Sequence, residues 1–257
     1  MSQIVEKYLE QFPEHKYLHY HAPRYSTLLN LVQQEYQEGD RILDIGRSQL
    51  TEMAVTALNT SVDTLGFAQD EDTDLGKHYH FNLNNSQEPN LWRKDLEPYD
   101  LIIFAEVIEH LYTSPNFVLS FLNSITAVGG RIILQTPNAV PLHKRIKILL
   151  GKHPYEKIRE DNTNPGHFRE YTKQELINYS KNTGFKLKNI LYGNYFDYRY
   201  QDIPERPEVK YQPKLKLIND FYSLCPASYK PGLTCVLVKE GESNFILQLA
   251  SKNQLAQ

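Results

Sequence analysis

The chain has 257 residues, of which 40% are hydrophobic and 23% charged, a composition typical of a folded protein that needs no disulfide to hold its core. A formal net charge of −3 argues against a nucleic acid as the main partner, because proteins of that class usually carry a basic surface. The sequence has neither an apolar run long enough to cross a membrane nor a signal-peptide pattern, so we expect a cytoplasmic protein.

Apolar residues recur at helical spacing in residues 1–38, which predicts an N-terminal helical cap. Short apolar runs then alternate with amphipathic stretches. The apolar runs predict strands at 41–45, 62–67, 79–83, 100–104, 131–135, 185–192 and 234–239. The amphipathic stretches predict helices at 50–59, from about Val107, at 116–126 and at 173–183.

This alternation predicts an α/β fold of the Rossmann-like, doubly wound kind, with helices on both faces of a seven-stranded, mostly parallel sheet. Gly129 and Gly130 are expected to turn the chain into the fifth strand. The sequence shows no clear helix between the last two strands, so we expect one of them to be antiparallel.

Two long segments, 136–169 and 193–233, interrupt the pattern and are rich in proline, tyrosine and charged residues. Loops of this length usually cover a functional site or are disordered. We expect a single domain over residues 1–257, in which these two insertions cover the substrate side. The basic residues between His143 and His153 lie in the first insertion, and a solvated helix face explains them better than a nucleic-acid site.

In an open parallel sheet, ligands bind beyond the carboxyl ends of the strands. The segments that fall at this edge are LDIGRSQ at 43–49, YDLIIFAEVIEHL at 99–111 and GGRIILQTPN at 129–138, and HFREYT follows at 167–172. In this order and spacing, residues 40–192 resemble the class I S-adenosylmethionine-dependent methyltransferases, particularly bacterial types 11, 12 and 23. The resemblance implies S-adenosylmethionine as the cofactor and a methyl transfer reaction.

The same resemblance assigns cofactor-binding residues in two turns. Asp44, Gly46 and Arg47 stand in the turn after the first strand, where Gly46 allows the backbone to approach a ligand closely. The second glycine of the family motif is missing there. Ala105 and Glu106 stand in the turn after the fourth strand.

Further cofactor contacts are implied after the second and third strands. Ala68 occupies the position where the family usually has an acid that holds the ribose hydroxyls. Either Gln69 or Asp70 replaces that acid, or ribose binding is weaker than usual. Asn82 stands where an acid often meets the adenine amino group, and its amide oxygen can accept the same hydrogen bond.

Glu106, Glu109 and His110 are spaced i, i+3, i+4 and share one face if the turn after the fourth strand is helical. Such a face can simply be the solvated side of an amphipathic helix. The segment also resembles the small-RNA 2′-O-methyltransferases and some ubiquinone-pathway O-methyltransferases, in which two glutamates and a histidine bind a divalent cation. By this resemblance, His167 corresponds to a later histidine ligand of the RNA enzymes.

Three roles for this set therefore remain open. Glu106, Glu109, His110 and His167 hold Mg²⁺ or Mn²⁺, which lowers the pKa of an acceptor hydroxyl. Alternatively His110 or His167 is the general base, with Glu109 as a further catalytic candidate, or the set has no catalytic role. The favoured function is O-methylation of a small-molecule or glycan hydroxyl. The alternatives are a non-catalytic binding module on the same fold and, less favoured, a nicotinamide-dependent oxidoreductase, which needs a fuller glycine motif.

Overall fold

The structure is a computed structural model that describes residues 2–161, 165–200 and 213–255. Parts of the two predicted insertions, 162–164 and 201–212, lie outside the described residues. The helices are α1 Gln3–Gln11, α2 Lys16–Glu35, α3 Gln49–Leu58, α4 Pro115–Ser124, α5 Leu142–Leu149, α6 Lys173–Asn182, α7 Lys216–Leu224 and α8 Asn244–Leu255. The strands are β1 Ile42–Ile45, β2 Asp63–Gly66, β3 Glu71–Asp72, β4 Lys77–His80, β5 Tyr99–Ala105, β6 Thr126–Pro137, β7 Phe185–Gly193 and β8 Gly232–Lys239.

The strands form one sheet in the order β3-β4-β2-β1-β5-β6-β8-β7. The neighbours from β4 through β6 are parallel, whereas β8 is antiparallel to both β6 and β7. The predicted doubly wound sheet, with seven main strands and an antiparallel strand near the end, is confirmed. The two-residue strand β3 is an addition that the sequence did not predict, and it forms a short antiparallel pair with β4.

Helices cover both faces of the sheet, as the alternating pattern predicted. One face is packed by α4 and α6, with Phe104, Phe121 and Tyr171 among its fully buried side chains. The other face is packed by α1, α2 and α3 through residues such as Leu29 and Met53. The predicted N-terminal cap is thus two helices that supply part of the main core.

The strand β6 begins earlier than the sequence predicted. Gly129 and Gly130 were expected to form a turn, but both lie inside the strand. Tyr99 pairs with Thr126 and Leu101 pairs with Arg131, so the intervening residues of β6 form a bulge. Gly129 has a φ of 77°, which a glycine adopts without strain, and this explains the local irregularity.

The two insertions contain more regular structure than expected. Helix α5 lies in the first insertion, and helix α7 lies between the last two strands, where no helix was predicted. In the part of the chain that the structure describes, none of the helices combines the length and the apolar character that crossing a bilayer requires.

Candidate active site

A cavity of about 990 Å³ opens at the carboxyl ends of the parallel strands, where the sheet topology places a ligand. Its volume lies at the upper end of the range for small-molecule sites, about 300–1,000 Å³. Many of the lining residues are apolar, and polar groups enter from several turns. The lining includes Gly46, Arg47, Ala68, Glu71, His78, Asn82, Glu106, Val107, His110, Tyr112, Pro165 and Phe168.

The turn after β1 is built to let a ligand approach the backbone. Gly46 has a φ of 87°, and its N–H donates to the carbonyl of Leu65 at 2.9 Å. Ser48 caps α3 by accepting a hydrogen bond from the N–H of Leu50, and the Thr51 hydroxyl oxygen accepts a hydrogen bond from the Ser48 N–H. The N-terminus of α3 is therefore fixed beside the cavity.

Glu106 follows the central strand β5 and adopts a φ of 55°, which is unusual for a residue with a side chain. Its carboxylate forms an ion pair with Arg24 of α2 at 3.2 Å, and the Arg24 side chain is only 7% exposed. Because Glu106 is in the left-handed region, the chain does not continue into a helix. The predicted helix from Val107 is wrong, since the structure has a single 3₁₀ turn at Ile108–His110.

Glu109 is the middle residue of this turn, and its side chain is fully buried. Its Oε2 accepts a hydrogen bond from the Thr136 hydroxyl at 2.9 Å, while its Oε1 has no hydrogen-bond partner among the described residues. Burial, together with the nearby charge of Glu106, raises the pKa of Glu109 well above its ordinary value. A buried carboxyl with one unpaired oxygen is suited to hold a proton or a cation.

Two histidines meet above Glu109. The rings of His110 and His167 pack edge to face with their centroids 4.8 Å apart. His110 Nδ1 lies 2.9 Å from the carbonyl oxygen of Gly166, and His167 Nδ1 lies 3.2 Å from Oε1 of Glu170. Because a carbonyl oxygen and a carboxylate oxygen accept hydrogen bonds, both rings donate through Nδ1, and Nε2 is the ring nitrogen available to a ligand.

The His167 side chain is further tied to the first insertion. Glu170 pairs through its second oxygen with Lys144 of α5, and both of these side chains are buried. Burial is the main reason that the pKa of His167 is lowered to about 4, and His110 and Lys144 add to the effect. His167 is therefore neutral at physiological pH. Ligand atoms of Glu109, His110 and His167 lie within 4.8 Å of one another.

Comparison with known proteins assigns the chain to a family. Residues 17–189, well over half of the chain, match a family model described as a methyltransferase domain. The chain belongs to the methyltransferase family. This membership confirms the predicted class I S-adenosylmethionine-dependent enzyme, and it argues against both the oxidoreductase and the non-catalytic module.

Solved structures with the same fold include a SAM-dependent methyltransferase from Archaeoglobus fulgidus, at 14% identity and a TM-score of 0.53, over 91% of this chain and 99% of that one. A geranyl diphosphate C-methyltransferase from Streptomyces coelicolor, solved with Mg²⁺, geranyl diphosphate and S-adenosyl-L-homocysteine, is 10% identical with a TM-score of 0.51. The match covers 83% of this chain and 77% of that one. None of the curated proteins compared with the chain matches it.

In the methyltransferase, five of the nine predicted cofactor residues line the cavity. Within the described ranges, the predicted residues that line it are Gly46, Arg47, Ala68, Asn82 and Glu106, and those that do not are Asp44, Gln69, Asp70 and Ala105. Asp70 instead forms an ion pair with Arg93, and Gln69 is exposed on the loop beside it. Asn82 caps the following 3₁₀ turn by accepting a hydrogen bond from the N–H of Asn84 at 3.0 Å.

The predicted metal set is brought together only in part. Glu109, His110 and His167 form the compact group, whereas the Glu106 carboxylate is directed to Arg24. The sequence spacing suggested a shared helical face, and the left-handed backbone of Glu106 removes it. Glu106 is therefore outside the compact group, in which the backbone carbonyl of Gly166 orients His110.

Glu71 and His78 also line the cavity of the methyltransferase, and neither was predicted from the sequence. Glu71 lies on the rim, where its carboxylate pairs with Arg47 at 3.0 Å. His78 is 4% exposed, its Nδ1 lies 2.7 Å from the Thr64 hydroxyl, and its Nε2 has no partner in the described part of the chain. Glu71 lies on β3, which was not predicted, and His78 lies on β4, which begins at Lys77 and ends at His80 instead of spanning the predicted residues 79–83. Gly76, whose φ is 154°, was the available sequence signal for the reversal between these strands.

Asp44 lies beneath the cofactor turn, where it accepts a hydrogen bond from the Thr51 hydroxyl at 2.6 Å. Burial raises its pKa from 3.8 to about 7. Between about pH 4 and 7 the native chain keeps the Asp44 proton that the unfolded chain has released, so this group makes the protein less stable as pH rises. The pKa difference corresponds to roughly 4 kcal/mol.

We expect Asp44→Asn, which can still accept the bond from Thr51, to gain stability relative to the wild type as pH rises from 5 to 8. Urea unfolding at the two pH values measures this change, and the histidines that titrate in both proteins cancel in the comparison. Asp220→Asn, at an exposed position of α7, is the control and should give the same difference at both pH values. A pH-independent effect of Asp44→Asn would contradict the prediction.

Proposed function

We propose that this enzyme transfers a methyl group to the hydroxyl oxygen of a small-molecule or glycan acceptor, with His110 as the general base. The observation that carries the proposal is the hydrogen bond from His110 Nδ1 to the Gly166 carbonyl, because it leaves Nε2 as the basic atom of a ring that lines the cavity. A base of this kind is needed for a hydroxyl, which is a weak nucleophile until its proton is removed.

His167 is better suited to a supporting role. Its lowered pKa makes it a weak base at neutral pH, and its Nδ1 is held by the buried Glu170–Lys144 pair. The neutral His167 ring packs against His110 without adding positive charge, so it positions the base. Among the residues of this chain, His110 takes the acceptor proton and His167 fixes its place.

The cofactor supplies an electrophilic methyl group when it is bound. The residues that we propose to hold it are Gly46 and Arg47 after β1, Glu71 and Ala68 beyond β2, and Asn82 after β4. The apolar part of the cavity excludes water from the reaction, which an in-line transfer requires.

The acceptor chemistry is tested with methyl-labelled S-adenosylmethionine and a panel of sugar, phosphosugar and phenolic alcohols. The expected product is a methyl ether at an acceptor hydroxyl, identified by mass spectrometry and NMR. Methylation at carbon or nitrogen in the preferred acceptor would overturn the O-methylation proposal while leaving the family assignment unchanged.

Glu71 is our candidate for the ribose contact that Ala68 does not provide. We expect Glu71→Gln to weaken S-adenosylhomocysteine binding by about tenfold or more, because a hydrogen bond to a charged acceptor contributes about 1.5–3 kcal/mol. Asp70→Asn is the matched control, since the Asp70 carboxylate is bound to Arg93 and should not affect the affinity. Calorimetric titration measures both variants, and the opposite order of effects would show that Asp70 is the ribose acid.

A divalent cation is a second candidate cofactor, favoured by the imidazoles of His110 and His167 beside buried Glu109, whose Oε1 has no hydrogen-bond partner among the described residues. Glu109, His110 and His167 would hold Mg²⁺ or Mn²⁺, and the ion would make a bound hydroxyl more acidic. One solved structure of the same fold contains Mg²⁺, in the geranyl diphosphate C-methyltransferase.

The cation hypothesis predicts that equilibrium dialysis detects one tightly bound Mn²⁺ or Mg²⁺ and that Glu109→Gln abolishes this binding. A chelator should then inactivate the enzyme, and the added ion should restore it. Glu10→Gln, at an exposed position of α1, leaves all three candidate ligands and their partners intact and serves as the control. If no ion binds and turnover survives chelation, the site works with His110 alone.

A further inference from the structure

The two insertions bring two of their helices, α5 and α7, into contact. His143 of α5 and Tyr222 of α7 form a hydrogen bond of 2.8 Å, and their rings meet edge to face. Lys144, the next residue on α5, faces inward and pairs with Glu170 beside the histidine cluster. The inner side of α5 is therefore occupied by contacts with the active site.

The outer sides of the two helices are apolar and exposed. On α5 and its C-cap, Ile146, Leu149 and Leu150 are 46%, 85% and 66% exposed, at a spacing that places them on one side. On α7, the exposed apolar residues are Leu217, Phe221 and Leu224, again on one side of the helix. Single exposed apolar residues are normal, but a set of six on two neighbouring helices marks an interaction surface.

Exposed cations flank these apolar side chains. They are Arg145, Lys147, Lys152, Lys214 and Lys216. Residues 142–153 contain three exposed lysines and arginines besides the buried Lys144, and no acidic residue, although the whole chain has a net charge of −3. The positive charge is thus concentrated at the apolar surface.

We propose that α5 and α7 form a docking surface for an anionic lipid bilayer. Short helices with apolar residues on one side and lysine or arginine beside them bind at the boundary between headgroups and acyl chains. The cations complement anionic headgroups, which attract each such side chain near the surface. A second copy of this chain is a poorer occupant, because it would bring the same cations face to face.

The docking surface lies on the opposite side of α5 from the pair that holds His167. If the proposed function is correct, docking brings the cavity close to the bilayer and favours an acceptor alcohol carried by a lipid. The lipid-borne acceptor rests on the proposed function, whereas the docking itself does not.

Co-sedimentation with vesicles tests the proposal on the full chain. We expect binding to mixed phosphatidylglycerol and phosphatidylcholine vesicles, and little to phosphatidylcholine alone or at high salt. Lys147→Glu should lower the partition coefficient about fivefold or more, and Leu149→Ser with Leu150→Ser more than tenfold. Because all three positions are exposed, these variants should fold and keep their affinity for S-adenosylhomocysteine.

The matched controls lie elsewhere on the surface. Val128→Ser removes an apolar side chain that is 79% exposed near the start of β6, and Lys181→Glu reverses an exposed charge on α6. Both should bind vesicles like the wild type. Absence of wild-type binding to the anionic vesicles would overturn the proposal, as would equal binding by the α5 variants. So would a dimer that binds no vesicles and becomes monomeric with Leu149→Ser.

Discussion

Replacing His110 by alanine is expected to lower the turnover number by about 10²–10⁴, the usual contribution of a positioned general base. The affinity for S-adenosylhomocysteine should change little, because the base acts on the acceptor proton. Steady-state kinetics and calorimetric titration measure the two quantities separately. Added imidazole should restore part of the activity of His110→Ala, since it can enter the space that the side chain leaves.

The control is His153→Ala, which removes an exposed histidine of the first insertion. It should retain wild-type turnover. A His110→Ala enzyme that remains active would contradict the assignment of the base. A loss of turnover matched by an equal loss of cofactor affinity would instead indicate a structural role for His110.

The second large effect is expected at the ion pair between α2 and the end of β5. Arg24→Met should lower the free energy of unfolding by about 3–5 kcal/mol, because the Glu106 carboxylate is left partly buried without its cation. Urea unfolding at neutral pH measures this difference.

The double variant Arg24→Met with Glu106→Gln should recover most of the lost stability, since it removes both charges. Lys186→Met is the control, because the ion pair between Lys186 and Glu240 is well exposed and should contribute less than about 1 kcal/mol. A double variant as unstable as Arg24→Met alone would show that Arg24 stabilises the protein by packing, and that its charge is secondary.

Much of the fold could be predicted because strands buried on both faces of a parallel sheet have continuous apolar sequences. Leu101–Phe104 is such a run, and each of its side chains is fully buried. The antiparallel strand β8 was expected, although the helix α7 before it was not. The sequence around α7 is mixed in polarity, and its apolar residues lie on the exposed side, so the usual signal of a core-facing stripe is missing.

The candidate site was predicted where the information is local and missed where it depends on distant contacts. His110 and His167 were selected from short motifs, and the fold brings their rings together. Glu106 was placed wrongly, because its backbone conformation and its contact with Arg24, far upstream, do not follow from the spacing of three polar residues. Glu71 reaches the cavity only through a two-residue strand, which is too short to leave a periodic pattern.

The hydrogen bond from His110 to the Gly166 carbonyl has a consequence for how acceptors are selected. Gly166 stands between Pro165 and the segment that ends at Phe168, and both of these residues line the cavity. An acceptor that pushes this loop aside also releases the ring of the base. Such a compound can bind tightly and still react slowly, so discrimination among acceptors would be expressed in kcat more than in KM.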